Sequence, residues 1–520
     1  MGIDICNIMY SISVPEMYAS WGVCKASILC ISFILSFILG GQLSALFATG
    51  RYVDVLTLSN LYSYSDVGWK IILSSALVIL LCVSMTLLVA LAAGKGWYKP
   101  FGWAIAVFSL IFVCANPQGA IRNFVRTGYI TVNQSFYSPN AKIREVQKKL
   151  YAQENIFSSD ADQRKAFDLR GKNIVVVFAE GFPLEFIDKF NRYNDLTPNI
   201  DRFLAESVYF DNYFNHTAST FRGLRGQLTS SYQLRRGYSH SNEKNGLAQI
   251  SGDKLKSTLS GNLVSVPHIL KDNNYHSYFL STHLHKYQLN LMLETLEFDR
   301  VYGADDFLTT NNELTDQQLF STLSDLINKD KLKKPFFIGT YNLGTHFGQD
   351  SPDVKYGDGK NSILNTIRNF DDAFGKFWSS VKDRKDTAVI LTADHAVIPG
   401  QLYTATFGTP HRGFPIDKVP FVVWNPDRKP GVLDAGGRNS LDLAPTLLQA
   451  LGIRHAFNYF LGCSLFEPSC NKPFEHIANV DDGFWETPSL RALDPKDPKD
   501  AGNMQKIKDF YNLSEDRRFQ

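Results

Sequence analysis

The sequence predicts a doubly wound α/β domain preceded by membrane-crossing helices. Three observations carry that reading. Two uncharged stretches of 23 residues lie near the start, short continuous apolar runs later alternate with amphipathic helical patterns, and chemistry-bearing side chains fall where those runs end.

The membrane part comes first. Ala26–Ala48 and Ile71–Ala93 each run 23 residues without a charge, enough for a helix to cross a hydrocarbon layer of about 30 Å. A third stretch, Trp97–Ala115, is shorter and has Lys99 and Pro100 near its start. None reads as a cleaved leader, because the first begins late and lacks a small-residue cleavage site followed by a polar region. The expected region is 1–121, with about three helices, followed by a basic, partly helical connector over 122–170. With the N-terminus inside, Lys25, Lys95 and Lys99 lie inside while Arg51, Lys70, Arg122 and Arg126 lie outside, a count slightly against that orientation.

A different texture begins at "NIVVVFAE" (173–180), a β-branched apolar run of the kind found in strands covered on both faces. Similar runs follow at "YHSYFLS" (275–281), "KPFFIGTYN" (334–342), "TAVILTAD" (387–394) and "VPFVVWN" (419–425). Helical patterns separate them: "TPNIDRFLAES", "TDQQLFSTLSDLINKD", "SILNTIRNFDDAFGKFWSSVKD" and "SLDLAPTLLQALG". In the longest, Ile363, Ile367, Phe370, Phe374, Phe377 and Val381 recur at steps of three and four as one apolar stripe. Alternation of this kind implies a wound sheet, here over 171–470, with 471–520 left as a polar tail containing the turn-rich "DPKDPKD".

Charge is balanced, with 53 basic and 51 acidic side chains, so nucleic acid is not an indicated partner. Five of the seven cysteines lie in or near the membrane part. Only Cys463 and Cys470 fall in the large domain, a spacing that suits either one disulfide in an oxidising compartment or two reduced thiols in a loop.

Open α/β sheets place their ligands at the carboxyl ends of strands, where loops and helix N-termini gather. Glu180 ends the first strand, His346 follows the strand at 334–342, and Asp394 with His395 ends the strand at 387–394. "HTASTFRGLRGQLTS" (216–230) puts Thr217, Ser219 and Thr220 at the mouth of a helix after the aromatic "VYFDNYFN". Hydroxyls there serve as caps on stability grounds alone. Gathered at one sheet edge with a carboxylate and an Asp-His pair, they form instead a donor set of hard oxygen and imidazole suited to zinc or manganese.

From Lys172 to about Phe466 the sequence resembles the alkaline phosphatase and sulfatase superfamily. Within it, the resemblance is to membrane-anchored phosphoethanolamine and phosphoglycerol transferases such as lipoteichoic acid synthase. The carrying pieces are "NIVVVFAEGF", "TPNIDRFLAESVYFDNYF", "NYHSYFLSTH" with "LEFDRVYG", "FFIGTYNLGTH", "VILTADHA", "PHRGFPIDKVPFVVWNP" and "LDLAPTLLQALGI" with "LGCSLF". The resemblance implies Glu180, Asp394 and His395 as metal ligands, with Zn2+ or Mn2+ as the cation, and Thr220 as a nucleophile that also touches the metal. Gly223, Leu228 and Thr229 match the family's helix after that nucleophile, with Ser219 and Thr217 as rivals. His346 and His411 match positions that hold the phosphoryl group or a second metal, and His283 matches a substrate-side position. "EGF" and "DHA" depart from the commoner Glu-Ser and Asp-His-Gly.

Sulfatases proper make formylglycine from a Cys or Ser in a Cys/Ser-x-Pro-x-Arg frame. Thr220 has no such oxidation open to it and no following proline, so phosphoryl transfer is expected over sulfate hydrolysis. Arg222 and Arg225 would support phosphate charge, with helical spacing sending at least one of them to solvent. The resemblance thus implies a multi-pass protein of the plasma (inner) membrane with an extracytoplasmic, periplasmic-side domain. It would move a phospholipid head group to an envelope glycan or lipid acceptor. The alternatives are a phosphodiesterase or phosphatase with water as acceptor, and a non-catalytic membrane scaffold.

Overall fold

The computed structural model describes residues 152–157, 168–232, 263–309, 312–346, 348–397, 401–408, 416–467, 474–480 and 483–510, with scattered further positions between 34 and 129 and elsewhere. Met1–Leu58 with Trp69–Thr131 make one compact unit, and Ser59–Gly68 with Val132–Gln520 make the other. In the first unit residues 37–46 are helical, and Asn123 and Thr127 both donate to the Val53 carbonyl. No helix among the described residues is long and apolar enough to cross a membrane. The expected spans at 26–48, 71–93 and 97–115 lie largely outside the described residues.

The second unit is built on a sheet of eight strands. After β1 (Gln153–Asn155) come β2 (Asn173–Ala179), β3 (Val208–Asp211), β4 (His276–Ser281), β5 (Arg300–Tyr302), β6 (Phe336–Tyr341), β7 (Thr387–Ala393), β8 (Phe421–Trp424) and β9 (Gly431–Asp434). Their order across the sheet is β5-β4-β6-β2-β7-β8-β3-β9. β2, β6 and β7 are buried along their whole length, as their unbroken apolar runs require.

Five neighbouring strands, β5 to β7 in that order, are parallel, but β8 pairs antiparallel with both β7 and β3. The sheet is therefore mixed, not wholly parallel. A continuous apolar run signals burial on both faces and says nothing of direction. Here the chain leaves β7 at its carboxyl end and re-enters the sheet beside it from the same edge, as the antiparallel pairing of β8 with β7 requires.

Helices form two groups. α1 (Pro198–Ala205), α5 (Asp316–Asn328) and α6 (Ser362–Val381) pack together, with Phe203 edge-on to Phe374 at 5.0 Å and Phe320 against Phe370 at 5.7 Å. The predicted stripe of α6 supplies these contacts, and Asp371, beside it on the same helix, is buried as the acceptor for the Asn199 and Ile200 N–H groups opening α1. The other group is α2 (Thr220–Thr229), α3 (Val266–Asp272), α4 (Gln288–Glu294) and α8 (Leu443–Ala450), with α2 touching the other three. Helix α7 (Gln401–Phe407) lies in the β7–β8 connection.

Two expectations change. The connector at 122–170 contributes a strand, since β1 pairs antiparallel with β10 (His455–Asn458). The polar tail is also structured: β11 (Ile477–Val480), β12 (Gly483–Glu486) and β13 (Arg491–Ala492) form a small antiparallel sheet, and α9 (Pro498–Phe510) follows. Asn479 donates its N–H to the His216 carbonyl at 2.8 Å, so this sheet grips the segment leading into α2. Cys463 and Cys470 are joined as a disulfide.

Candidate active site

β2 and β7 are neighbours in register, Ala179 beside Ala393, so Glu180 and Asp394 emerge side by side at the carboxyl edge. Their backbones are tied: Asp394 donates its N–H to the Ala179 carbonyl at 3.2 Å, and Phe182 donates to the His395 carbonyl at 3.0 Å. Gly181 takes φ +53°, which glycine adopts at little cost, and its N–H donates to Asp394 Oδ1 at 2.9 Å. The His395 N–H donates to the same oxygen at 2.7 Å.

Asp394 Oδ1 is thereby engaged, while Oδ2 is buried with no hydrogen-bond partner. An orphaned carboxylate oxygen in a protein interior is costly unless a cation meets it. His395 Nε2 lies 3.4 Å from that oxygen and 3.4 Å from Glu180 Oε1. The ring's other nitrogen, Nδ1, donates to the Ala396 carbonyl at 2.7 Å, so Nε2 is the atom free to present a lone pair inward. Ligating atoms of Glu180, Asp394 and His395 all lie within 4.8 Å of one another, and all three residues are buried. The residues present therefore fit a divalent cation.

The electrostatics agree. Burial and the adjacent Glu180 push the Asp394 carboxyl well above the usual carboxylate range. Burial also opposes ionisation of Glu180, but His395 outweighs it and draws that carboxyl down. For His395 burial disfavours the charge, yet Asp394 and Glu180 prevail and raise it to about 10. Two buried carboxylates thus demand a positive partner, which a proton on His395 or a metal ion can supply.

Helix α2 aims its N-terminus at this group. Ser219, the residue before it, holds φ +74° without a glycine's freedom and makes no side-chain cap. Backbone strain of this kind costs on the order of 1–3 kcal/mol and persists where the surroundings impose it. Its effect is to deliver Thr220, whose Oγ1 donates to Glu180 Oε2 at 2.8 Å. Of the rival hydroxyls, Thr217 is buried and faces the Ala218 carbonyl at 3.5 Å.

Gly223 shows how closely the helix lies on the strand end. A Cβ there would stand 2.1 Å from the Asp394 carbonyl oxygen, and Gln227 Nε2 binds the carbonyls of Ala393 and Asp394 at 2.9 and 3.2 Å. Gly223→Ala is accordingly expected to lever α2 away, costing about 1–3 kcal/mol of stability and moving Thr220 off Glu180. Thermal unfolding beside an activity assay checks both, and an unchanged variant would contradict this packing. Arg222 and Arg225 are buried, not split between core and solvent, because α2 is covered all round.

Segment 341–345 was not foreseen. Tyr341 Oη donates to Glu180 Oε2 at 2.6 Å, Asn342 Oδ1 accepts the Glu180 N–H at 3.0 Å, and Thr345 Oγ1 donates to the Glu180 carbonyl at 2.6 Å. Asp316, buried at the start of α5, accepts from Asn342 Nδ2 and the Gly344 N–H at 3.3 and 3.2 Å. His346, on the same loop, is near enough to add to the pull that lowers Glu180. His283 is buried, pairs through Nδ1 with Glu313, stacks on Tyr287 at 4.0 Å and lies tilted against Tyr341 at 6.0 Å. His411 lies outside the described residues.

A wound sheet whose carboxyl edge holds a buried Glu-Asp-His set beside a helix-opening hydroxyl is the arrangement that the resemblance to the alkaline phosphatase and sulfatase superfamily implies. Residues 172–453 match the Sulfatase family, and the chain belongs to it. It is 23% identical over 357 residues to the lipoteichoic acid synthase-like YvgJ of Bacillus subtilis (strain 168), covering 62% of this chain and 55% of that protein. It is 40% identical over 95 residues to a 2,3-bisphosphoglycerate-independent phosphoglycerate mutase of Wolbachia pipientis wMel, covering 18% and 17%. The chain thus spans about half the length, or less, of these curated relatives. Among solved structures, a protein in the alkaline phosphatase superfamily from Vibrio parahaemolyticus aligns with TM-score 0.54 at 18% identity, over 73% of this chain and 97% of that one. The lipoteichoic acid synthase LtaP from Listeria monocytogenes aligns with TM-score 0.52 at 16% identity, over 69% and 95%. These likenesses establish the fold.

Proposed function

We propose that the protein is a metal-dependent phosphotransferase that carries a phosphoethanolamine or phosphoglycerol head group from a phospholipid to a cell-envelope glycan or lipid, through a phosphothreonine at Thr220. The observation that carries the reading is the Thr220 hydroxyl at a helix N-terminus, 2.8 Å from a Glu180 oxygen in a buried set fit for a cation. Glu180, Asp394 and His395 would hold Zn2+ or Mn2+, which when bound lowers the pKa of an alcohol beside it and stabilises phosphoryl charge.

The chain's own residues supply the rest. Thr220 Oγ1 forms the bond to phosphorus as the bond to the diacylglycerol oxygen breaks, and that oxygen gains the proton Thr220 gives up. An acceptor hydroxyl then takes the phosphoryl group and returns its proton to Thr220. The N–H groups opening α2 offer donors to the phosphate oxygens. His346, His283 and His411 are proposed to meet the head group.

Use of a lipid donor explains an apolar N-terminal region, and the relative named for lipoteichoic acid synthase supports the same class of chemistry. The Cys463–Cys470 disulfide suits a domain on the extracytoplasmic side of a plasma or inner membrane. Full-length protein incubated with head-group-labelled phospholipid is expected to pass label to an added glycan or lipid acceptor. Label released only to water would instead mark a phosphodiesterase, and no release from protein lacking metal would mark a scaffold.

A further inference from the structure

We infer that Tyr341 is a positioning residue that fixes which oxygen of Glu180 faces the cation and which faces Thr220; this rests on the reading of the site given above. Glu180 is gripped at its amide by Asn342 and at its carbonyl by Thr345, contacts that locate the backbone but leave the carboxylate free to turn about its side-chain torsions. Two donors stop that rotation. Tyr341 Oη and Thr220 Oγ1 both donate to Oε2, at 2.6 and 2.8 Å, which leaves Oε1 toward His395 Nε2 at 3.4 Å.

The two donors are not equivalent. Thr220 must part with its proton to attack, and Oε2 then loses that donor. Tyr341 remains. Its ring ends β6, is only 1% exposed, and lies against His283, which is itself stacked on Tyr287, so the phenol has a fixed direction. Outer partners of metal-ligating groups of this kind typically matter by 10–100-fold in metal affinity or activity. Without the phenol, Oε2 would be held by Thr220 alone, a stronger claim on the very proton the reaction must release.

The test is Tyr341→Phe, which keeps the ring and removes one oxygen. In full-length protein stripped of metal, the variant is expected to bind Zn2+ roughly 10–100-fold more weakly, measured by competition with a chelator. On reloading with saturating Zn2+ it should show a lower kcat at unchanged KM. In a Glu180→Gln background the same change should add little to the loss of Zn2+ affinity, since the effect runs through that carboxylate. Zn2+ affinity and kcat both within twofold of wild type would overturn the inference, as would a rise in KM alone or full additivity with Glu180→Gln. If the wild-type protein itself binds no Zn2+, the metal-site reading fails instead; Tyr341 then has no ligand to position and the inference falls with it. Melting of the metal-free variant near the wild-type temperature separates these outcomes from loss of fold.

Discussion

Thr220→Ala is expected to lower head-group release from phospholipid by on the order of 10^4-fold or more, the scale seen when a nucleophile acting as part of a catalytic unit is removed. Thr220 is half-buried at the helix mouth and its hydroxyl donates to Glu180 Oε2 beside that of Tyr341. Removing a methyl and an oxygen from this position leaves α2 intact, because the helix is held by Gln227 on the strand carbonyls and by the close approach of Gly223. The variant should therefore keep its melting temperature and its metal. Thr220→Ser retains the attacking oxygen and should retain measurable transfer. Release at the wild-type rate from Thr220→Ala would show that another group attacks.

Asp394→Asn carries the second large effect. Oδ2 has no hydrogen-bond partner, and burial beside Glu180 makes its ionisation costly in the absence of a cation. An amide cannot supply the missing charge, so Zn2+ affinity should fall by more than about 100-fold, beyond the loss expected from an outer partner. In wild type, free Zn2+ at 100 times its Kd should add about 2.7 kcal/mol of stability. The variant should show less than about 0.4 kcal/mol of that at the same concentration. The metal-free variant should melt no lower than metal-free wild type, because the substitution relieves repulsion between two buried carboxylates. Elemental analysis and paired melting curves with and without Zn2+ check both statements, and unchanged metal content would reject Asp394 as a ligand.

Much of this was written in the chain itself. The runs that became β2, β4, β6 and β7 are short and largely apolar, with β-branched residues in β2, β6 and β7, and the side chains ending β2 and β7, Glu180 and the Asp394–His395 pair, fall at one edge because parallel strands all leave there. The direction of β8 was not legible, since hydropathy records burial and a strand of either direction can be covered on both faces. Nor was the burial of Arg222 and Arg225, because an amphipathic pattern presumes a solvent face that α2 lacks. The 341–345 cradle escaped for a related reason. "YNLGT" has no periodicity and no metal-binding residue type, and its role follows only from β6 lying beside β2. Composition likewise hid β11–β13, whose short strands sit among polar residues and meet the nucleophile segment through a backbone bond from Asn479.

The central claim is that a single hydroxyl, Thr220, becomes covalently loaded. Its most direct test is mass spectrometry of the peptide spanning residues 213–235 from protein quenched during turnover of phospholipid with no acceptor present. The account predicts a phosphoethanolamine or phosphoglycerol adduct on Thr220, discharged when acceptor is added. An adduct on Thr217 or Ser219, or turnover with the peptide unmodified throughout, would contradict it.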